Sequence, residues 1–373
     1  MKIAVIGAGN IGLALANEIY QNTKIKVRLI TSRSNEISRI LSAVDSMTGK
    51  IMHSELDFVT DDYSKGLCDI DVVFITVPSF LIDVVISKVV IKESAIICFV
   101  PGVGGKEFYA KTLHLSGNII CGFDRTPFVS RISLSDNYVV YSKKHKVRLA
   151  MLKPTNKLND ISLLMSELLK IPCESLLNYL TATLTPSNPL LHTSRLYTMF
   201  KYSNLNTKIN EQIFFYKEWT DIASDILLKM DSELQLICSV FTEKGINLSG
   251  VVSLKDHYEA YSVEGMTNKI KSISSLSNIV SPLISNGDGY YVLDGNSRYF
   301  TEDFPFGLCV IKAFSLIADV PTCTIDEVLK WYANLFQKEY YLNNSFCGKD
   351  LKFTSIPQNF GINTLESIID YYS

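Results

Sequence analysis

Three groups of residues have types and spacings suited to chemistry. The first is Gly7-Ala8-Gly9-Asn10-Ile11-Gly12, a GxGxxG string six residues into the chain. Such glycines have distinct physical tasks. One turns the chain sharply, one lets the backbone approach a pyrophosphate, and one lets a helix pack against a strand. The second is His192, which follows an Asn188-Pro189 pair at the start of an apolar, helix-like stretch. An imidazole titrates near neutral pH and suits proton transfer, but a single histidine is equally at home as a satisfied core residue. The third is Ser297-Arg298-Tyr299-Phe300-Thr301-Glu302-Asp303, followed by Phe304-Pro305-Phe306-Gly307-Leu308. It could supply an acid/base group and an anion grip. It could also be a capped helix start, with Asp303 accepting N–H bonds and Pro305 in the first turn.

The elements that must position these groups follow from periodicity. Residues 2–6 form an apolar, β-branched run that reads as a buried strand. From Asn10 to Tyr20 the apolar positions Ile11, Leu13, Leu15, Ala16 and Ile19 fit one helix face. A second strand is predicted over Ile25–Ile30. The string therefore lies between a strand and a helix, with a further strand beyond. In that context the glycines read as a dinucleotide-binding turn, whose helix N-terminus faces the phosphates. Strands are predicted at Asp71–Val77, Ala95–Val100, Asn118–Gly122 and Tyr138–Tyr141, with a helix over Leu81–Val90. Alternating strands and helices predict a doubly wound parallel sheet, the Rossmann α/β plan. The Val77-Pro78 turn should then lie at the carboxyl end of a strand, where ligands bind.

Past about residue 155 the pattern becomes helical, over Ile161–Leu169, Ser175–Leu184 and Ile213–Cys238. The expected organisation is an α/β Rossmann domain over 1–175 and a mostly α-helical domain over 176–373, which would carry substrate specificity and catalysis.

The second strand ends in Thr31-Ser32-Arg33, without the acidic residue that commonly binds the ribose 2′-hydroxyl of NAD. Hydroxyls and a guanidinium suit a 2′-phosphate. The expected dinucleotide contacts are Gly7, Gly9, Asn10, Ile11, Gly12, Thr31, Ser32, Arg33, Val77 and Pro78, with NADP the expected cofactor and NAD the alternative.

Composition limits the other options. Net charge is −2 and charged residues make up 20% of the chain, so no basic surface for nucleic acid is expected. No apolar run reaches the length of a membrane span. Eight cysteines without CxxC or zinc spacing read as free thiols of a cytoplasmic protein, with no metal site.

The segments Asn188-Pro-x-x-His192 and Arg298-Tyr-Phe-Thr-Glu-Asp303-x-Pro-x-Gly-Leu308, together with Phe215-Tyr216-Lys217-Glu218-Trp219 and Cys121–Arg131, resemble the octopine/opine dehydrogenase family. The resemblance covers nearly the whole chain. It implies NAD(P)H-dependent joining of an amino acid to a 2-oxo acid, pyruvate or 2-oxoglutarate, through an imine. It implies His192 as general acid/base, Asp303 as the carboxylate that orients it, and Arg298 and Asn188 at the substrate. Thr31-Ser32-Arg33 departs from the NAD-using octopine enzymes. The rival readings are a 2-oxo acid reductase of the ketopantoate type and a dinucleotide-binding sensor without turnover. The partners expected are small molecules, with a homodimer left open.

Overall fold

The computed structural model describes all residues except 111–116, 134–137 and 187. The described chain divides into two compact units, Met1–Thr183 with Ile369–Ser373, and Leu184–Ile368. The sequence reading put the change after residue 175 and assigned the whole C-terminus to the second domain.

The first unit is built on an eight-stranded sheet. Its strands are β1 (Ile3–Ile6), β2 (Arg28–Ile30), β5 (Val59–Thr60), β6 (Val72–Ile75), β7 (Ile96–Phe99), β8 (Ile119–Phe123), β11 (Val147–Met151) and β12 (Cys173–Ser175). Their order is β12-β11-β8-β7-β6-β1-β2-β5. All pairings are parallel except β8 with β11. Six of the strands run β5-β2-β1-β6-β7-β8, so the direction of winding reverses at β1. This is the switch point outside which such sheets bind dinucleotides.

Burial explains why these runs are strands. Ile3 and Val5 face one apolar cluster with Leu29, Phe74 and Cys98, while Ala4 and Ile6 face the other with Ile30, Ile75 and Phe99. Period-2 alternation thus fills both faces, so every residue of β1 is apolar. The second strand is shorter than predicted. Ile25–Val27 lie outside it, and pairing begins at Arg28.

The Leu81–Val90 prediction resolves into a 3-10 turn at Ser79–Leu81 and a one-turn helix at Ile82–Ile86. Ile82, Val85 and Ile86 are buried, and Leu81, Val84 and Val90 are exposed. The apolar count overstated the buried stripe.

A second sheet, unforeseen from sequence, contains β3 (Ile40–Asp45), β4 (Ile51–Glu55), β9 (Phe128–Ser133) and β10 (Tyr138–Lys143) in the order β4-β3-β10-β9. It took in the predicted strand at Tyr138–Tyr141. The Asn10–Thr23 helix joins the two sheets by polar contacts. The Tyr141 hydroxyl donates to Glu18 Oε2 at 2.6 Å, Asn17 Nδ2 donates to the Tyr141 oxygen at 2.9 Å, and the Ile132 N–H donates to Asn10 Oδ1 at 2.9 Å. Buried polar groups on a helix are tolerated only with such partners.

The second unit is mainly helical. The Asp221–Glu243 helix is its longest, capped by Thr220, whose hydroxyl accepts from the Ala223 N–H. Around it pack the helices Asn188–Phe200, Val263–Ser272, Cys309–Ile317 and Cys323–Leu335. A small hairpin, β13 (Leu283–Ser285) with β14 (Tyr291–Leu293), adds strands that the sequence reading did not foresee. That reading ran one helix from Ile213. The structure starts it at Asp221, because residues 213–219 form a turn whose Phe215 N–H bonds the Ile279 carbonyl. No helix among the described residues is long and apolar enough to cross a membrane.

Candidate active site

The glycine turn leaves β1 and enters the Asn10–Thr23 helix. Gly7 has φ +109°, a region costly for any residue with a Cβ, and a Cβ there would lie 2.7 Å from Thr76 Oγ1. Thr76, just beyond β6, donates to the Ile6 and Gly7 carbonyls at 3.0 and 3.2 Å and so pins the turn to the next strand. A Cβ on Gly12 would sit 1.9 Å from the Gly7 carbonyl oxygen, so only glycine permits this contact between helix and strand. Gly9 is the opposite case, with no atom within 4 Å of its would-be Cβ. That open face lies at the helix N-cap. The cap is not filled by a side chain, and the first turn holds no acidic residue. N–H groups without intrahelical partners and a partial positive charge therefore meet open space, which suits a pyrophosphate.

The neighbouring predicted contacts gather at the same turn. Arg33 Nη2 donates to the Ala8 carbonyl at 2.7 Å, placing the guanidinium beside the glycine loop. Glu36 is its other neighbour, 4.0 Å away. The Thr31 hydroxyl accepts from the Arg33 N–H, and Ser32 is exposed. Val77 packs against Gly7, and Pro78 opens the Ser79–Leu81 turn. Asn10 contributes differently from the others, since its side chain is engaged by β9. Ile11 is partly buried against the core. These residues fit a dinucleotide.

The second unit brings His192 and Asp303, 111 residues apart, into contact. His192 Nδ1 lies 2.7 Å from Asp303 Oδ2, and both side chains are buried. His192 stands one turn into the Asn188–Phe200 helix. Asp303 precedes a π-helical turn, Phe304–Leu308, closed by the Leu308 N–H on the Asp303 carbonyl at 2.8 Å. Such wider turns recur at functional sites. The capping alternative for Asp303 is not realised, because its side chain makes no cap hydrogen bond. Gly307 is what lets the two segments meet. A Cβ there would lie 2.6 Å from the Pro189 ring, the second residue of the His192 helix.

Burial pushes the Asp303 carboxyl above its ordinary value, opposed by the charge and hydrogen bond of His192 and, more weakly, by Arg298. A buried carboxylate held by an imidazole fixes the ring's orientation and keeps the proton on Nδ1. The ring's other nitrogen, Nε2, lies 2.7 Å from the Tyr216 hydroxyl. Phe215 and Tyr299 flank the ring, with centroids 5.7 and 4.5 Å away.

Tyr216 was in a segment noted from sequence but not picked out as functional. Arg195, one turn beyond His192, holds that segment in place. It donates to the Phe215 carbonyl at 3.2 Å and the Glu218 carbonyl at 2.6 Å. Arg298 and Asn188 do not join the hydrogen-bonded group. Arg298 has a side chain 66% exposed, with Glu302 3.9 Å away, and Asn188 is exposed at the first residue of the His192 helix. An exposed guanidinium near a buried dyad is free to meet an incoming anion.

A dinucleotide turn in an α/β unit, with a histidine–carboxylate pair in a helical unit, defines the class as nicotinamide-dependent oxidoreductases. Comparison with known proteins narrows this. Residues 175–336 match the family of NAD/NADP octopine/nopaline dehydrogenases, alpha-helical domain, and residues 2–114 match the NAD-dependent glycerol-3-phosphate dehydrogenase N-terminus. The chain is 26% identical to tauropine dehydrogenase of Arabella iricolor, over 98% of this chain and 99% of that protein. It is 25% identical to octopine dehydrogenase of Mizuhopecten yessoensis, over 99% and 98%. A structure of octopine dehydrogenase with NADH and L-arginine superposes with a TM-score of 0.86 at 23% identity, covering 99% of this chain and 97% of that one. The chain is similar to octopine and tauropine dehydrogenases over nearly its whole length, in line with the resemblance of its sequence motifs, and is an NAD(P)-dependent oxidoreductase acting on CH–NH bonds.

Proposed function

We propose that this opine dehydrogenase condenses an amino acid with a 2-oxo acid, pyruvate or 2-oxoglutarate, and prefers NADP(H), with His192 as its general acid/base. The observation that carries the reading is the buried His192–Asp303 pair, with His192 Nδ1 2.7 Å from Asp303 Oδ2. Addition of an amine to a ketone gives a carbinolamine, whose hydroxyl must leave as water. That departure needs a proton, and an imidazolium supplies one near neutral pH. Asp303 holds the ring and stabilises its charged form. Arg298 and Asn188 take the substrate carboxylates, because a guanidinium binds a carboxylate through two parallel bonds and so sets the orientation of the reacting carbon. When bound, the reduced nicotinamide supplies the hydride that completes the reduction.

The NADP(H) preference rests on Arg33 beside the glycine loop and on the Thr31 and Ser32 hydroxyls at the end of β2. The eight free cysteines accord with a reducing, cytoplasmic setting. The direct test follows absorbance at 340 nm with NADPH or NADH, each oxo acid, and a pool of amino acids. Oxidation that requires both co-substrates is expected. Oxidation with the oxo acid alone would replace this reading with a simple reductase.

A further inference from the structure

We propose that Tyr216 is the relay through which the His192–Asp303 pair exchanges its proton with the substrate. This rests on the general acid/base role proposed for His192 and adds the group that delivers the proton. His192 is buried, and both of its ring nitrogens are occupied, Nδ1 by Asp303 Oδ2 and Nε2 by the Tyr216 hydroxyl, each at 2.7 Å. Phe215 and Tyr299 cover the sides of the ring. The Tyr216 oxygen is therefore a direct hydrogen-bonded route by which a proton can leave the pair.

The bond reverses polarity with the state of the ring. When His192 is neutral, its proton sits on Nδ1, and the Tyr216 hydroxyl donates to Nε2. When the ring is protonated, Nε2–H donates to the Tyr216 oxygen, which frees the phenolic hydrogen for another acceptor. Tyr216 is 5% exposed, and burial pushes its phenol well above the ordinary range, reinforced by Tyr299, Tyr258 and Asp303 around it. It cannot store a negative charge at working pH, so it must gain one proton as it gives another.

For carbinolamine collapse the balance is as follows. The Tyr216 O–H proton passes to the departing hydroxyl, and the C–O bond breaks with its electron pair leaving in water. The nitrogen lone pair forms the C=N bond. The Nε2 proton moves to the Tyr216 oxygen and leaves His192 neutral. Positive charge passes from imidazolium to iminium, and the phenol is restored.

The surroundings hold the hydroxyl in place. Arg195 fixes the carbonyls on either side of Tyr216 in sequence, Phe215 and Glu218. The Tyr216 ring stacks on Trp219 at 6.3 Å with the planes 6° apart. Trp219 Nε1 in turn donates to Ser224 Oγ at 2.9 Å. A rigidly held donor costs little reorganisation during the proton transfer.

The test compares Tyr216→Phe and His192→Asn with the unaltered enzyme in single turnovers with both co-substrates. Melting temperature and dinucleotide affinity are measured alongside. Tyr216→Phe removes one oxygen and keeps the ring stack. It is expected to lower the rate of the chemical step about tenfold or more, within the range of general acid–base effects, with KM values little changed. A second readout needs no variant. The rate of the unaltered enzyme in mixtures of H2O and D2O should curve with deuterium fraction, because two protons move together. A Tyr216→Phe rate equal to that of the unaltered enzyme, or a linear dependence on deuterium fraction, overturns the relay. If His192→Asn also keeps its rate, the underlying role of His192 fails as well. If only His192→Asn is impaired, that role stands and the relay alone is wrong.

Discussion

Replacing Asp303 by Asn keeps the shape of the side chain and removes its charge. In the structure one carboxylate oxygen lies 2.7 Å from His192 Nδ1, and the pair is buried. Two effects follow. The amide no longer stabilises the imidazolium, and its NH2 end can present a hydrogen to Nδ1, which would move the ring proton to Nε2. Hydrogen bonds to charged groups contribute about 1.5–3 kcal/mol. If that is lost only when the ring is protonated, the rate falls roughly 10- to 150-fold. The wrong tautomer would add to the loss. Stability should move the other way, because burial already holds the Asp303 carboxyl above its ordinary value and the neutral amide escapes that penalty. The assay is single-turnover oxidation of NAD(P)H with saturating amino acid and oxo acid, run beside thermal unfolding. A large drop in rate with an equal or higher melting temperature is expected. An unchanged rate would refute the proposed role of Asp303, and a parallel loss of rate and stability would reduce it to a structural residue.

Arg33→Ala should weaken NADPH about tenfold or more, the scale of a charge-assisted hydrogen bond, and leave NADH within about twofold; fluorescence titration of both dinucleotides measures it, and equal losses for both would remove Arg33 from 2′-phosphate recognition. Glu107 gives a pH prediction in the first unit. It is fully buried, with Oε1 accepting from Thr183 and Tyr372 and Oε2 without a partner. Burial raises it to about 7, only partly opposed by those two hydrogen bonds. The folded state thus holds a proton that the unfolded chain releases near pH 4.5, so this group's contribution is neutral at low pH and grows unfavourable as pH rises to about 7. The full penalty above that is on the order of 3 kcal/mol. Glu107→Gln should therefore melt higher than the unaltered protein at pH 8 and nearly level with it at pH 5. A constant difference at both would show that Glu107 does not titrate there.

The first unit was the more legible in sequence because its signals are local. Glycine spacing, apolar runs of four and the hydroxyl–arginine end of β2 all lie within short stretches, and each has one physical solution. The sheet of β3, β4, β9 and β10 escaped because its strands come from distant parts of the chain and are partly exposed, as Ile40 and Ile51 show. In the second unit, His192 and Asp303 were identified through a family resemblance. Nothing local couples two residues 111 positions apart. Gly307 seating Pro189 is the contact that joins them, and its reason becomes visible only in three dimensions. Tyr216 was in view as part of an aromatic string, but a phenol 24 residues from a histidine carries no periodic signature. The return of the last five residues to the first unit rests on Tyr371 and Tyr372 meeting Glu107, and the sequence does not signal that pairing.

The central claim is that hydride reaches a carbon bonded to nitrogen. The most direct measurement uses a cofactor deuterated at the transferring position of nicotinamide C4, with an oxo acid and the amino acid that supports turnover, followed by mass spectrometry. The account predicts a secondary amine whose mass is that of both substrates less water, plus one hydrogen and one deuterium. The deuterium should lie on the former carbonyl carbon of the oxo acid. Deuterium found instead in a free 2-hydroxy acid, with the amino acid unchanged, would contradict it.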